Sequence, residues 1–137
     1  MSIFREPMNR ARDWWVQAQA DLRHARYALE GGHYEWACFA AHQAAEKGIK
    51  ALFEHRGARV TGHALTRMLQ ALQDTGLEVD PNLLAAAKIL DKFYVPTRYP
   101  NGLPEGAPTE FYTREEAEHA LRCAEQVLRF CAGFLGG

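Results

Sequence analysis

Apolar positions recur at helical spacing along nearly the whole chain, and breakers divide them into separate segments. Trp15, Ala18, Leu22, Ala25 and Leu29 advance in steps of three and four, which predicts a first helix over about residues 9–29. Gly31-Gly32 ends it, because glycine takes the left-handed cap conformation at little cost. A second helix is predicted from Tyr34 to His55, ahead of Gly57. At about 100° of turn per residue, Ala37, Ala41, Ala45, Gly48 and Leu52 share one side of it, small enough to admit a close partner helix. The other side carries Trp36, Phe39, Gln43, Glu46, Lys47, Lys50 and Glu54, aromatic at its start and charged at its end.

A shorter third helix is expected over about residues 63–74 on Leu65, Met68, Leu69 and Leu72, with Thr75-Gly76 as its stop. Asp80-Pro81 opens a fourth: the carboxylate caps the first amides and proline suits the first turn. Leu83, Leu84, Ala87, Leu90 and Tyr94 keep register, so this helix should end just before Pro96. Residues 96–112 hold Pro96, Pro100, Pro104 and Pro108 with Gly102 and Gly106, a density that predicts a surface loop with no helix in it. Loops of that length tend to be functional or mobile. Thr113-Arg114-Glu115-Glu116 is a capping box, and Ala117, Ala120, Leu121, Ala124, Leu128, Cys131 and Leu135 continue a last apolar stripe. Nothing alternates like a strand, and no internal repeat is present. The expectation is a single all-α domain over residues 1–137, core about 9–135, built as an up-and-down antiparallel bundle of four to five helices.

Composition narrows the function classes. A formal charge of -1 exerts no global pull on nucleic acid or anionic lipid, so any such contact must come from a local patch. No apolar run approaches the ~18 residues of a membrane span, and residues 1–7 lack a signal-peptide core, which reads as a cytoplasmic chain with no membrane partner. Cys38, Cys123 and Cys131 form no CxxC pair and read as reduced, buried thiols. His24, His33, His42 and His55 show neither HxxxH nor HExxH spacing, so no metal site and no cofactor is expected from them. His63 reads as a cap or surface residue at the start of the third helix. Walker, GxGxxG and GxSxG motifs are absent.

Two clusters could carry chemistry. Gln43, Glu46, Lys47 and Lys50 fall on one helical stripe, with Glu46 and Lys50 a favourable i,i+4 pair. They read either as a solvated face with an ordinary ion pair or as a groove in which lysines meet phosphate and Gln43 reads a base or ribose. Asp91, Tyr94, Thr97, Arg98, Tyr99 and Pro100 place a planar phosphate donor between tyrosines able to stack on a base. The alternative there is a core tyrosine, an arginine paired with an acid, and prolines that merely end a helix.

Taken together, these segments resemble one family. The run Tyr34-Glu35-Trp36-Ala37-Cys38-Phe39-Ala40-Ala41-His42-Gln43-Ala44-Ala45-Glu46-Lys47-Gly48-Ile49-Lys50-Ala51-Leu52 is similar to the second-helix signature of HEPN domains. His63-Ala64-Leu65 resembles the family's His-x-Leu step. The segment from Asp91 to Tyr94 followed by Thr97-Arg98-Tyr99-Pro100 resembles its Tyr-x-x-x-Arg-Tyr-Pro element, and Tyr112-Thr113 with the Glu/Ala-rich helix after it matches the closing segment. The likeness covers roughly residues 10–132. It implies a small helical bundle, usually a homodimer, often paired with a minimal nucleotidyltransferase in toxin–antitoxin modules. It also implies that Gln43, Glu46, Lys47, Lys50, Tyr94, Arg98 and Tyr99 form a groove for a nucleotide or RNA.

Many HEPN proteins are metal-independent ribonucleases with an Arg-x4-6-His motif, and Arg114 and His119 have that spacing. In such a mechanism histidine assists proton transfer at the 2′-hydroxyl while arginine holds the phosphate. Here Glu115 stands where a small polar residue is expected, and Glu116 and Glu118 add charge that repels phosphate. A separation of five residues also sets the two side chains about 140° apart on a helix, so they need dimer geometry to converge. Three readings follow: a nucleotide-binding accessory protein, a ribonuclease using Arg114 and His119, and a pure dimerisation or interaction module.

Overall fold

The computed structural model describes residues 9–136. The helices are α1 (Ala11–Glu30), α2 (Tyr34–His55), α3 (Leu65–Asp74), α4 (Pro81–Asp91), α5 (Pro108–Phe111) and α6 (Arg114–Leu135), with a 3-10 turn at Pro100–Gly102. The described residues contain no strand, and no helix among them is long and apolar enough to cross a membrane. The all-helical bundle expected from the periodicity is what forms.

Its axis is α2, which packs against both α1 and α6, themselves in contact, and touches α3, α4 and α5 besides. Ala37, Ala41, Ala44, Ala45, Ile49 and Leu52 are fully buried along it. The small-residue face does what its size allows. At Gly48 an added Cβ would run into the Leu128 methyl of α6, with Trp15 of α1 at 3.6 Å. Trp15 near the start of α1 thus sits beside the later part of α2, so the two helices form an antiparallel hairpin. By contrast, the later part of α2 meets Leu128 and Cys131 in the later part of α6, so α6 lies along α2 in the same sense. The long connection before α6 permits that return.

The stops fall where glycine was expected to place them. At the end of α1, Gly32 takes φ +80° and donates to Leu29 O (3.1 Å), while His33 N donates to Ala28 O (2.8 Å). Gly57 (φ +79°) and Ala58 repeat this arrangement after α2. The Thr113 capping box also forms: Glu116 N donates to Thr113 Oγ1 (3.2 Å) and Thr113 N to Glu116 Oε1 (3.1 Å).

Three boundaries depart from expectation, each for a tertiary reason. Helix α3 begins at Leu65, not His63, because its first amides are capped from outside: Leu65 N donates to Asp91 Oδ1 (2.7 Å) and Thr66 N to Asp91 Oδ2 (3.1 Å). Helix α4 stops at Asp91 rather than continuing to Pro96, its end tightened by Phe93 N donating to Leu90 O (2.9 Å). Tyr94 therefore leaves the helix. The proline-rich segment does hold one helical turn, α5, since Pro108 sits at the first helical position, where its missing N–H costs nothing.

All three cysteines are free and buried. Burial pushes the Cys38 and Cys131 thiols up to about 12, so neither is a thiolate at neutral pH.

Candidate nucleotide groove

The polar end of α2 and the segment after α4 meet through a pair of histidines. His42 is fully buried on α2, and its Nε2 donates to the His63 carbonyl (2.9 Å), with Asp91 Oδ1 3.9 Å away. That carbonyl is an acceptor only, so the proton sits on Nε2. Burial is the main force on this ring and lowers its pKa. With Asp91 holding the next two amides, the corner at His63-Ala64-Leu65 is fixed from two elements at once.

The fixed corner aims the His63 side chain back at α2. Its Nδ1 donates to Glu46 Oε1 (2.8 Å), and the other carboxylate oxygen accepts from Lys50 Nζ (3.1 Å). Glu46 is 4% exposed in its side chain, so its charge depends on these two donors, whereas His63 is 49% exposed and keeps its outer edge in solvent. The far ring face is taken by Tyr94, stacked at 4.3 Å between centroids and 17° between planes. Tyr94 also lies 5.1 Å from His42 and 6.1 Å from Phe39.

Arg98 closes the cluster. Its Nε donates to Tyr94 O (2.8 Å), which pins the base of the guanidinium. The guanidinium carbon lies 4.3 Å from the Phe39 ring centroid, 4.6 Å from Tyr94 and 5.1 Å from Tyr99. No acidic side chain pairs with it among the described residues. An arginine held this way by rings keeps its outer N–H groups for an oxyanion.

The sequence-expected residues therefore divide. Glu46 and Lys50 connect through His63 to Tyr94, Arg98 and Tyr99, and Gln43 sits at the rear with its side-chain amide 3.1 Å from His42 Nδ1. Lys47 turns away to α1, where its Nζ donates to Asp21 Oδ2 (2.5 Å). Arg114 and His119 do not share a site within the chain. Arg114 Nε donates to Glu118 Oε1 (3.0 Å), and the neighbouring Tyr34 phenol foremost, then Glu118, raises its pKa. His119 lines a separate hollow with Arg122 and Arg129 that excludes Arg114. Among the described residues, no three His, Cys, Asp or Glu side chains gather as a metal-binding set.

Sequence reasoning missed His42 and His63 as members. Phe39, His42 and Glu46 lie three and seven apart on α2, and that stripe was the available signal. His63 offered only its place in a three-residue step.

The HEPN domain pattern matches residues 11–134 of this chain, almost all of the described fold. The chain belongs to the HEPN family. Solved relatives agree: the HEPN domain here is 48% identical to the protein TT1696 from Thermus thermophilus, with a TM-score of 0.88 over 92% of this chain and 98% of that one. It is 38% identical to a HEPN domain protein from Thermotoga maritima, with a TM-score of 0.74 over 90% and 98%. Among curated sequences, it is 29% identical to the Methanocaldococcus jannaschii protein named "Putative toxin MJ1304", over 87% of this chain and 84% of that protein.

Proposed function

We propose that this HEPN protein binds a nucleotide against Arg98, beside the Tyr99 ring and the exposed edge of His63. In this reading it acts as a homodimer beside a minimal nucleotidyltransferase, as one component of a toxin–antitoxin pair. The observation that carries the binding reading is Arg98, set against three aromatic rings at 4.3–5.1 Å with no acidic partner among the described residues. Phosphate takes the outer N–H fork of such an arginine, and the half-exposed Tyr99 ring offers a stacking face for a base. Lys50 is already neutralised by Glu46, so Arg98 is the cation on which this reading rests. The toxin name of the archaeal relative supports the module. The half-exposed Trp36 and Tyr99 rings support a protein partner. A ribonuclease built on Arg114 and His119 has less support, because Arg114 is already paired with Glu118 and a second chain would have to bring the two together.

Calorimetric titration with AMP and ATP tests the groove. Arg98→Ala should weaken binding at least tenfold while leaving the far-UV spectrum intact. Lys47→Ala should leave affinity unchanged and lower the melting temperature, since Lys47 ties α2 to α1. Wild-type protein that takes up neither nucleotide refutes the groove. The expected finding for the partner is a small nucleotidyltransferase, encoded next to this chain, that co-purifies with it.

A further inference from the structure

His63 is held at every point but one. Its carbonyl accepts from His42 Nε2 (2.9 Å), and Asp91 takes the amides of Leu65 and Thr66 just beyond it. Its ring donates from Nδ1 to Glu46 Oε1 (2.8 Å) and lays one face on Tyr94, 4.3 Å between centroids. Backbone, ring plane and inner nitrogen are thus fixed by four different segments, while the side chain remains 49% exposed. With the proton on Nδ1, the neutral ring carries its lone pair on Nε2. Lys50 already supplies a counter-charge to the Glu46 carboxylate through the other oxygen (3.1 Å). A histidine needed only to neutralise Glu46 would duplicate that lysine.

The free nitrogen has a place to work. His63 lines a recess of about 290 Å³ with Thr61, Gly62, Arg67 and Met68, and no acidic side chain is among the residues that form it. Nδ1 being bonded to Glu46, Nε2 is the polar atom that His63 has left for this recess. Arg67 is exposed at the start of α3 and supplies the one full positive charge on its walls. An oriented lone pair, backed by a buried carboxylate and facing a guanidinium, suits attack on a centre that carries anionic oxygens.

We propose that His63 Nε2 is a phosphoryl acceptor, taking its phosphoryl group from a donor of the acyl phosphate or phosphoramidate class. The Nε2 lone pair forms a new N–P bond as the donor's bond to phosphorus breaks. The carboxylate or amine leaves with that bonding pair. Nδ1 keeps its proton throughout, and the ring becomes cationic as Nε2 gives up its electrons. Glu46, 2.8 Å from Nδ1, stabilises that charge, and Arg67 faces the phosphoryl oxygens. This acceptor role uses neither Arg98 nor Tyr99, so it can fail while the nucleotide reading holds, and the reverse.

The full chain carries its own standards, because His24, His33, His55 and His119 are exposed as well. Incubation with acetyl phosphate and, separately, with phosphoramidate, followed by peptide mapping under alkaline conditions, gives the labelling rate at each histidine. His63 should label on the order of tenfold faster than the other four with at least one donor, the margin a carboxylate partner supplies to a histidine. NMR of the labelled protein should place the phosphoryl group on Nε2. Glu46→Gln, which keeps the side-chain size, should slow His63 by roughly tenfold and leave the other four unchanged. Arg67→Ala removes an exposed side chain without touching the core and should slow His63 on the order of tenfold too. That second variant decides the matter if Glu46→Gln does not fold. Labelling of His63 no faster than the four standards with both donors overturns the assignment, as does attachment at Nδ1. A rate at His63 unchanged by Arg67→Ala overturns it equally. Nucleotide titration of Arg98→Ala reports on the groove independently of all these outcomes.

Discussion

Removing the Asp91 carboxylate tests the corner on which the groove depends. It accepts from Leu65 N (2.7 Å), Thr66 N (3.1 Å) and Thr66 Oγ1 (2.7 Å), reaching across the fold to cap α3. Hydrogen bonds to a charged group contribute about 1.5–3 kcal/mol each in isolation, and loss of a helix cap costs roughly 0.5–2 kcal/mol. The three bonds share one carboxylate, and its side chain is 25% exposed, so water replaces part of what is lost. Asp91→Ala should then cost about 2–3 kcal/mol. With an unfolding entropy of roughly 2.1 cal/mol/K per residue, that lowers the melting temperature by about 7–10 °C. Thermal and urea unfolding followed by circular dichroism give the magnitude. Native-state amide exchange gives the location: the Leu65 and Thr66 amides should lose protection while those of α6 change only by the global amount. Asp91→Asn keeps one acceptor oxygen and should fall between alanine and wild type. An alanine variant within about 0.5 kcal/mol of wild type, or unchanged protection at Leu65 and Thr66, would refute the cap.

Two further outcomes follow from the packing. Burial depresses the folded-state pKa of His42, so the unfolded chain binds a proton that the native chain refuses. The contribution of this ring is complete above its unfolded pKa, near 6.5, and is lost as pH falls below it, with a slope of at most about 1.4 kcal/mol per pH unit. Urea midpoints between pH 7.5 and 5 should fall more steeply for wild type than for His42→Gln, and parallel curves would contradict the assignment. Gly48→Val forces a branched side chain against Leu128 and Trp15, and should destabilise the bundle by about 1–3 kcal/mol in urea unfolding. Wild-type stability would mean that α2 and α6 are not in close contact there.

Local chemistry made much of this protein legible before any coordinates. Helix periodicity, glycine stops and the Thr113 capping box depend on neighbours within a few residues, and they place α1, α2 and α6 to within a residue or two. Family-specific runs drew attention to Glu46, Lys50, Tyr94, Arg98 and Tyr99 for the same reason, as each sits within one short segment, but the same run gave no sign that Lys47 faces α1. What the chain could not display was any effect whose partner is far away in sequence. Asp91 reads as a member of the Arg98 cluster until α3 is seen to start on it, and that one contact shifts the start of α3. Nothing local to His42 shows that its ring is buried against the His63 carbonyl, 21 residues on.

The same distinction governs the charges. Spacing along α2 determined that Glu46, Lys47 and Lys50 share a stripe, because helical geometry is set by the backbone alone. Which of them remains available was decided by the neighbouring elements: α1 supplies Asp21 to Lys47, the α2–α3 loop supplies His63 to Glu46, and the segment after α4 sets Arg98 against rings with no acid beside it. A pattern of side chains is a local property of the chain. The counter-charge each one meets comes from packing, and packing brings together residues that the sequence keeps tens of positions apart.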